Sequence, residues 1–110
     1  MEAVVNFQPL VLLYFNHLIN DLFYEGYFSY KESALKYVSK IIYNVENTIH
    51  LKKHYPCSNS LLKHGSYYIH FNMNPNTTWY FVFEKNDNRY LITYVFNNYS
   101  PEAKDLIYDF

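Results

Sequence analysis

Apolar residues recur at helical spacing in the first half of the chain and crowd into short aromatic and β-branched runs in the second. The segment AVVNF (3–7) favours a strand. Pro9 then suits a helix's first turn, where a missing N–H costs little. In LVLLYFNHLINDLFYEG (10–26) the apolar stripe is Leu12, Phe15, Ile19 and Leu22, widened by Val11, Leu18 and Phe23. This predicts an amphipathic helix that stops at Gly26, since glycine accepts the left-handed conformation after a helix. Ser29 and Glu32 have the spacing of a capping box. Behind them Leu35, Val38, Ile41, Ile42, Val45 and Ile49 form a second stripe, with Lys36, Lys40, Asn44 and Asn47 largely off it. Two helices joined by so few residues predict an antiparallel hairpin.

Residues 52–65 (KKHYPCSNSLLKHG) read as a connection, because Pro56 and the Ser/Asn cluster interrupt the period; Leu61 and Leu62 would pin it to the core. SYYIHFN (66–72), TTWYFVFEK (77–85) and RYLITYVFNN (89–98) then read as strands. MNPN and NDN between them supply hairpin chemistry. Trp79 to Phe83 is apolar at nearly every position, as in a strand buried on both faces. The last run alternates, with Thr93 on the side of Leu91 and Val95. Ser100 would cap a short helix with Pro101 at its first position, and Leu106 and Ile107 would tuck it onto the sheet. The order β-α-α-β-β-β-α segregates helices from strands and defines an α+β fold. An antiparallel sheet packs against the N-terminal helical hairpin, and the first strand pairs at an edge or beside the last strand. No internal repeat or boundary divides residues 1–110, which read as one domain.

Composition narrows the function classes. Half of the 110 residues are apolar and 22% aromatic, with 14 tyrosines and only two glycines. A core needs no metal or disulfide at that size, and no Gly-rich phosphate loop can be built. The net charge of −1 excludes a strongly basic nucleic-acid binder. The charge is uneven, however: Lys31 to His64 carries six lysines against two acids, and Glu84 to the end carries five acids against three bases. Cys57 is the sole cysteine, so no internal disulfide forms, as suits a reducing cytoplasm. The longest apolar run, Leu10 to Phe15, is too short to cross a membrane, and no basic start marks a signal peptide. The expectation is a soluble cytoplasmic protein. His50 and His54 have the i,i+4 spacing of helical metal ligands, but Pro56 follows closely and no third ligand is assignable. Neither a metal nor a cofactor is expected.

The order and size of the elements resemble the RelE/ParE toxin superfamily of bacterial toxin–antitoxin modules. The more specific likeness lies in TTWYFVFEKNDNRYLITYVFNNYSPEAKDL (77–106), which resembles the end of a compact RelE-like subgroup. There, an aromatic WYxFFE-type strand leads through a tight turn to RYLI and then to an NNH-like ending before a helix. LLKHGSYYIHF (61–71) is similar to that subgroup's leucine–glycine–aromatic approach to the preceding strand. The resemblance implies a small toxin neutralised by an antitoxin polypeptide. RelE-type members cleave mRNA at the ribosome without a metal, and ParE-type members act on DNA gyrase.

Carried onto this chain, the resemblance puts a basic strand position near His70, a strand arginine near Tyr80, and the C-terminal histidine or tyrosine at Tyr99. Cleavage through a 2′-hydroxyl needs a base, an acid for the leaving oxygen and cations for the phosphorane. His70, Tyr80 and Tyr99 are thus the catalytic candidates. Lys36, Lys40, Lys52, Lys53 and Lys63, with Asn97 and Asn98, are the RNA-binding candidates. Each has a plainer reading: His70 as a hydrogen-bonded strand residue, Tyr80 and Tyr99 as packing or structural hydroxyls, the lysines as a solvated face. The only arginine, Arg89, lies about 30 Å along its strand from residue 98, at ~3.3 Å per residue, too far to share a phosphate with Tyr99. The main expectation is a RelE/ParE-like toxin component that binds an antitoxin and, if active, acts as an endoribonuclease on ribosome-bound mRNA. The alternatives are a non-catalytic interaction module on the same fold and a gyrase-directed toxin. The expected partners are an antitoxin, the ribosome and mRNA, with no membrane; exposed aromatic edges also permit a homodimer.

Overall fold

The computed structural model describes residues 3–108, apart from the side chains of residues 105, 107 and 108. Strand β1 (Val4–Phe7) leads into helix α1 (Pro9–Tyr24), with Pro9 at its first position. Gly26 ends α1 at φ 83°, its N–H donating to the Phe23 carbonyl at 3.2 Å. Val11 and Phe15 are the buried residues of α1, whereas Leu12 is half exposed. The covered stripe runs Val11, Phe15, Leu18, Leu22, one step round from a stripe through Leu12. Only one side of each helix has a sheet to face, so the wide apolar surface of α1 is not all used.

Helix α2 (Lys31–Thr48) begins too late for the capping box. Tyr30 is the N-cap residue, with no side-chain capping bond, so Ser29 lies one residue outside the position from which it would cap. Ala34, Val38, Ile41 and Val45 are buried, and Leu35 is half exposed. The helix ends before His50 and His54, so those two are not paired on a helix face.

The expected connection contains a short strand, β2 (Tyr55–Pro56), and a 3-10 helix (Asn59–Lys63). Pro56 is tolerated because β2 is an edge strand, antiparallel to the start of β3. Leu61 anchors this segment, while Leu62 points out. Strands β3 (Tyr67–Asn74), β4 (Thr77–Asn86) and β5 (Arg89–Asn97) form the antiparallel meander. The sheet order is β1-β5-β4-β3-β2, and β1 runs parallel to β5. The sheet is therefore mixed and five-stranded rather than wholly antiparallel. Helix α3 (Ala103–Tyr108) closes the order. It starts beyond Ser100, whose hydroxyl instead accepts the Asn97 N–H at 3.2 Å, and Pro101 sits in the preceding turn. Ile107, expected to pack beside Leu106, falls among the side chains not described. Among the described residues no helix is long and apolar enough to cross a membrane.

Two apolar layers sandwich the sheet. On one face Phe15 and Ile41 from the helical hairpin pack with Ile69, Phe71, Trp79, Phe81 and Phe83. On the other, Cys57, Leu61, Ala103 and Leu106 pack with Tyr68, Val82 and Phe96. The β4 run from Trp79 to Phe83 is accordingly covered on both faces. Each fully buried aromatic or aliphatic side chain contributes about 1.5–3 kcal/mol.

A β-bulge decides what β5 presents to each layer. Val82 pairs with Tyr94 but Phe83 with Ile92, leaving Thr93 as the extra residue. Tyr90 and Ile92 face the helices before the bulge; after it Val95 does, while Tyr94 and Phe96 turn to the outer layer. Simple alternation placed Thr93 with Leu91 and Val95; the bulge separates Leu91 from Val95, since one inserted residue exchanges the faces of all that follow. Gly65 lies against this point. A Cβ there would meet Thr93 Oγ1 at 2.7 Å and Val82 Cγ1 at 2.8 Å.

Candidate functional site

The outer face of the sheet carries a row of rings that crosses four strands. Tyr55 of β2 lies opposite Tyr68 of β3, with ring centroids 5.3 Å apart. Tyr55 also stacks on His70 at 5.5 Å. His70 lies directly opposite Tyr80 of β4, with centroids 5.7 Å apart. Tyr80 stacks on Phe96 of β5, opposite it, at 4.8 Å and 7°. Beyond Phe96, Tyr94 stacks face to face on His64 at 3.6 Å and 4°. Period-two alternation puts the β3 and β4 rings on this face, the bulge brings Tyr94 and Phe96 to it, and His64 comes from the end of the 3-10 helix. Cross-strand aromatic pairs of this kind stabilise a sheet by roughly 0.2–1 kcal/mol each.

Within this row His70 and Tyr80 are the chemically capable pair. Burial, and secondarily the Lys52 ammonium, lowers the His70 pKa from its ordinary 6.5. Burial raises that of Tyr80 above its ordinary 10.0. Near neutral pH His70 is held in the form that takes a proton and Tyr80 in the form that gives one. Lys53 places its ammonium over the Tyr55 ring at 4.9 Å, at the same end of the row.

Tyr99 belongs elsewhere. Its hydroxyl donates to the Asn76 carbonyl at 2.7 Å, in the turn between β3 and β4. Asn76 is four residues before Tyr80, about 13 Å away along an extended strand. Asn98 clips the same turn: its Oδ1 accepts the Thr78 N–H at 2.9 Å and its Nδ2 donates to the Asn76 carbonyl at 3.1 Å. Asn97 Oδ1 accepts the Tyr99 N–H at 2.9 Å, forming a local polar turn. In this structure the NNY stretch fastens the end of β5 to the neighbouring hairpin.

The lysines do not converge either. Lys52, whose ammonium lies 5.9 Å from the Phe71 ring centroid, is close enough to His70 to lower its pKa, and Lys53 lies over the Tyr55 ring. Lys63 is beside His64 at the other end of the row. Lys36 and Lys40 are exposed on α2, which covers the opposite side of the sheet. Arg89 starts β5, at the far end of that strand from Asn97.

Tyr55 as a partner of His70 is not visible in the sequence, because Pro56 and the Ser/Asn cluster give residues 52–65 the pattern of a connection rather than a strand. The one trace there is a tyrosine beside a proline, which an edge strand accommodates. His54 has a settled role: its Nε2–H donates to the Ile49 carbonyl at 2.7 Å, and Nδ1 accepts from Lys85 Nζ at 3.2 Å. Among the described residues no cluster of three His, Cys, Asp or Glu could hold a metal. Cys57 is buried, and burial, then Glu84, pushes its thiol up to about 11, so it stays protonated and a poor nucleophile.

Set beside known proteins, the chain matches no family model, no curated protein and no solved structure.

Proposed function

We propose that this chain is a RelE/ParE-like toxin that cleaves ribosome-bound mRNA on the outer face of its sheet, and that an antitoxin polypeptide neutralises it. The observation that carries this reading is the cross-strand His70–Tyr80 pair, with pKa values moved in opposite directions. Pairs of titratable groups pushed apart by their surroundings supply the acid and base of a reaction. His70 takes the proton of the 2′-hydroxyl as it attacks the adjacent phosphorus. Tyr80 gives its proton to the departing 5′ oxygen. The products are a 2′,3′-cyclic phosphate and a 5′-hydroxyl. Lys52 and Lys53 offset phosphate charge, and Tyr55 offers a ring on which a base can stack.

The test is induced expression with growth, translation and mRNA ends followed together. Arrest with cuts in ribosome-bound mRNA is expected. His70→Ala and Tyr80→Phe each lower cleavage by about a hundredfold or more, the usual range for a positioned acid or base. Tyr80→Phe keeps the ring that packs on Phe96, so its loss of activity is not a loss of fold. Unimpeded growth, or cleavage that survives both substitutions, sinks the nuclease; arrest with gyrase-dependent DNA breaks favours the gyrase-directed alternative.

One observation favours a second reading, a non-catalytic interaction module. Leu10, Leu12 and Leu13 on α1 and Leu35 and Tyr43 on α2 are all at least 48% exposed, more apolar surface than a hairpin facing only water needs.

A further inference from the structure

An open groove of about 670 Å³ lies between the C-terminal end of α1, the α1–α2 loop and the end of the sheet that carries Tyr99. Tyr27, Tyr37, Trp79 and Tyr99 line it, together with the carboxylates of Asp21 and Glu25. No lysine, arginine or histidine is among its described lining residues. Neither carboxylate has an ion-pair partner among the described residues. This groove is on the helical side of the sheet and contains neither His70 nor Tyr80.

The two carboxylates stand where the fold itself does not favour them. Asp21 is in the last turn of α1 and Glu25 is its C-cap residue, and that last turn has no basic residue. Negative charge at a helix C-terminus opposes the helix dipole. Like charges four residues apart repel each other on one helix face. A local arrangement that works against its own helix is expected where a ligand supplies the compensation.

The rest of the groove says which ligand. Tyr27 and Tyr99 keep 70% and 68% of their surface exposed at its rim. Trp79 is buried, and its Nε1 donates to the Tyr37 hydroxyl at 3.2 Å. Aromatic faces attract cations. A planar guanidinium stacks on such rings and bonds carboxylates through its fork of donors, as a compact ammonium does not.

We propose that this groove receives the guanidinium of an arginine side chain from a polypeptide partner, held between Asp21 and Glu25 and stacked on the rim tyrosines. Charge complementarity selects the occupant, and the groove is open enough to admit a side chain still attached to its backbone.

Trp79 is the only tryptophan in the chain, so its emission reports on the groove alone. The probe is a blocked tripeptide with a central arginine, titrated into the intact protein under tryptophan-selective excitation. A saturable change is expected, weakening as salt is raised. The same tripeptide with citrulline, neutral and nearly isosteric, binds at least about tenfold more weakly. In the Asp21→Asn/Glu25→Gln double variant, whose altered side chains are exposed and isosteric, arginine binding falls by a similar factor while circular dichroism is unchanged. Spermidine, representing a free polyamine, binds more weakly than the arginine peptide. No saturable change, equal binding of the citrulline peptide, or undiminished binding by the double variant overturns the site. Tighter binding of spermidine overturns the assignment to an arginine side chain.

Discussion

Replacing Gly65 by alanine tests the bulge on which the outer face depends. The added Cβ would lie 2.7 Å from Thr93 Oγ1, 2.8 Å from Val82 Cγ1 and 3.4 Å from the Phe83 carbonyl oxygen. The first two distances are well inside contact, and both atoms sit on short β-branched side chains that are stiff at χ1. They cannot swing aside as the end of a lysine would. Overpacking of this kind costs about 1–3 kcal/mol, and alanine returns about 0.4–1 kcal/mol by restricting the unfolded chain. Taken at the middle of both ranges, the net loss is about 1.3 kcal/mol, or a fall in Tm of roughly 5–10 °C for a domain of this size. Thr93→Ala removes one of the two close atoms, along with the hydrogen bond from Oγ1 to the Val82 carbonyl at 3.2 Å. Alone it costs about 1 kcal/mol. Combined with Gly65→Ala, the loss falls short of the sum by at least about 0.5 kcal/mol, because the two changes share one contact. Thermal and urea unfolding of the four proteins measure this. Wild-type stability in Gly65→Ala, or strict additivity in the cycle, would refute the role given to Gly65.

Three further outcomes are expected. Asn98→Ala lowers stability in urea titration by about 1 kcal/mol, since its exposed side chain holds the Thr78 N–H and the Asn76 carbonyl; Asn98→Asp, which keeps the acceptor and loses the donor, falls between. Cys57, buried with its pKa pushed up to about 11, resists a thiol reagent at pH 8 in the folded protein and reacts at once in denaturant. His64 and His70 both have pKa values lowered from 6.5, mainly by burial. The unfolded chain then binds protons more readily than the folded one, so their contribution to stability is whole above about pH 6.5 and is lost as pH falls through the folded values. The urea midpoint should be flat from pH 7 to 8 and decline below 6.5, with a shallower decline in a His64→Gln/His70→Gln variant.

The helices and the three long strands were legible because their periods are long and regular, and Pro9 and Gly26 mark the limits of α1 by well-defined backbone chemistry. The coarse α+β order could be read in the same way; for β1 the sequence allows an edge or a place beside the last strand, and the structure gives it both. What could not be read were effects fixed by neighbours distant in sequence. Residues 55–56 form a strand only because Tyr67 and Tyr68 pair with them. Leu12 and Leu35 look like core residues by spacing, yet the sheet lies under Val11 and Ala34 instead. The bulge at Thr93 leaves no mark in a run of alternating apolar residues; its trace is a glycine 28 positions earlier. For the site, it was the family resemblance that pointed to His70 and Tyr80, without establishing that they are opposite each other. The resemblance grouped Tyr99 with them by matching it to a C-terminal histidine or tyrosine, whereas the side chain turns to the β3–β4 turn.

That turn of Tyr99 divides the molecule's chemistry between the two sides of one sheet. After the bulge, β5 presents Val95 to the helices and Phe96 to the outer layer. Asn97 and Tyr99 then line the groove on the helical side. Phe96 sets the outer rings by stacking on Tyr80, and Tyr80 meets His70 across the next pair of strands. Without the extra residue at Thr93, Val95 would leave the helical core and Phe96 would enter it. Both the His70–Tyr80 pair and the acidic aromatic groove would lose their β5 neighbour in the same step. Gly65, which lies beneath neither site, is therefore a position where one methyl group should disturb both.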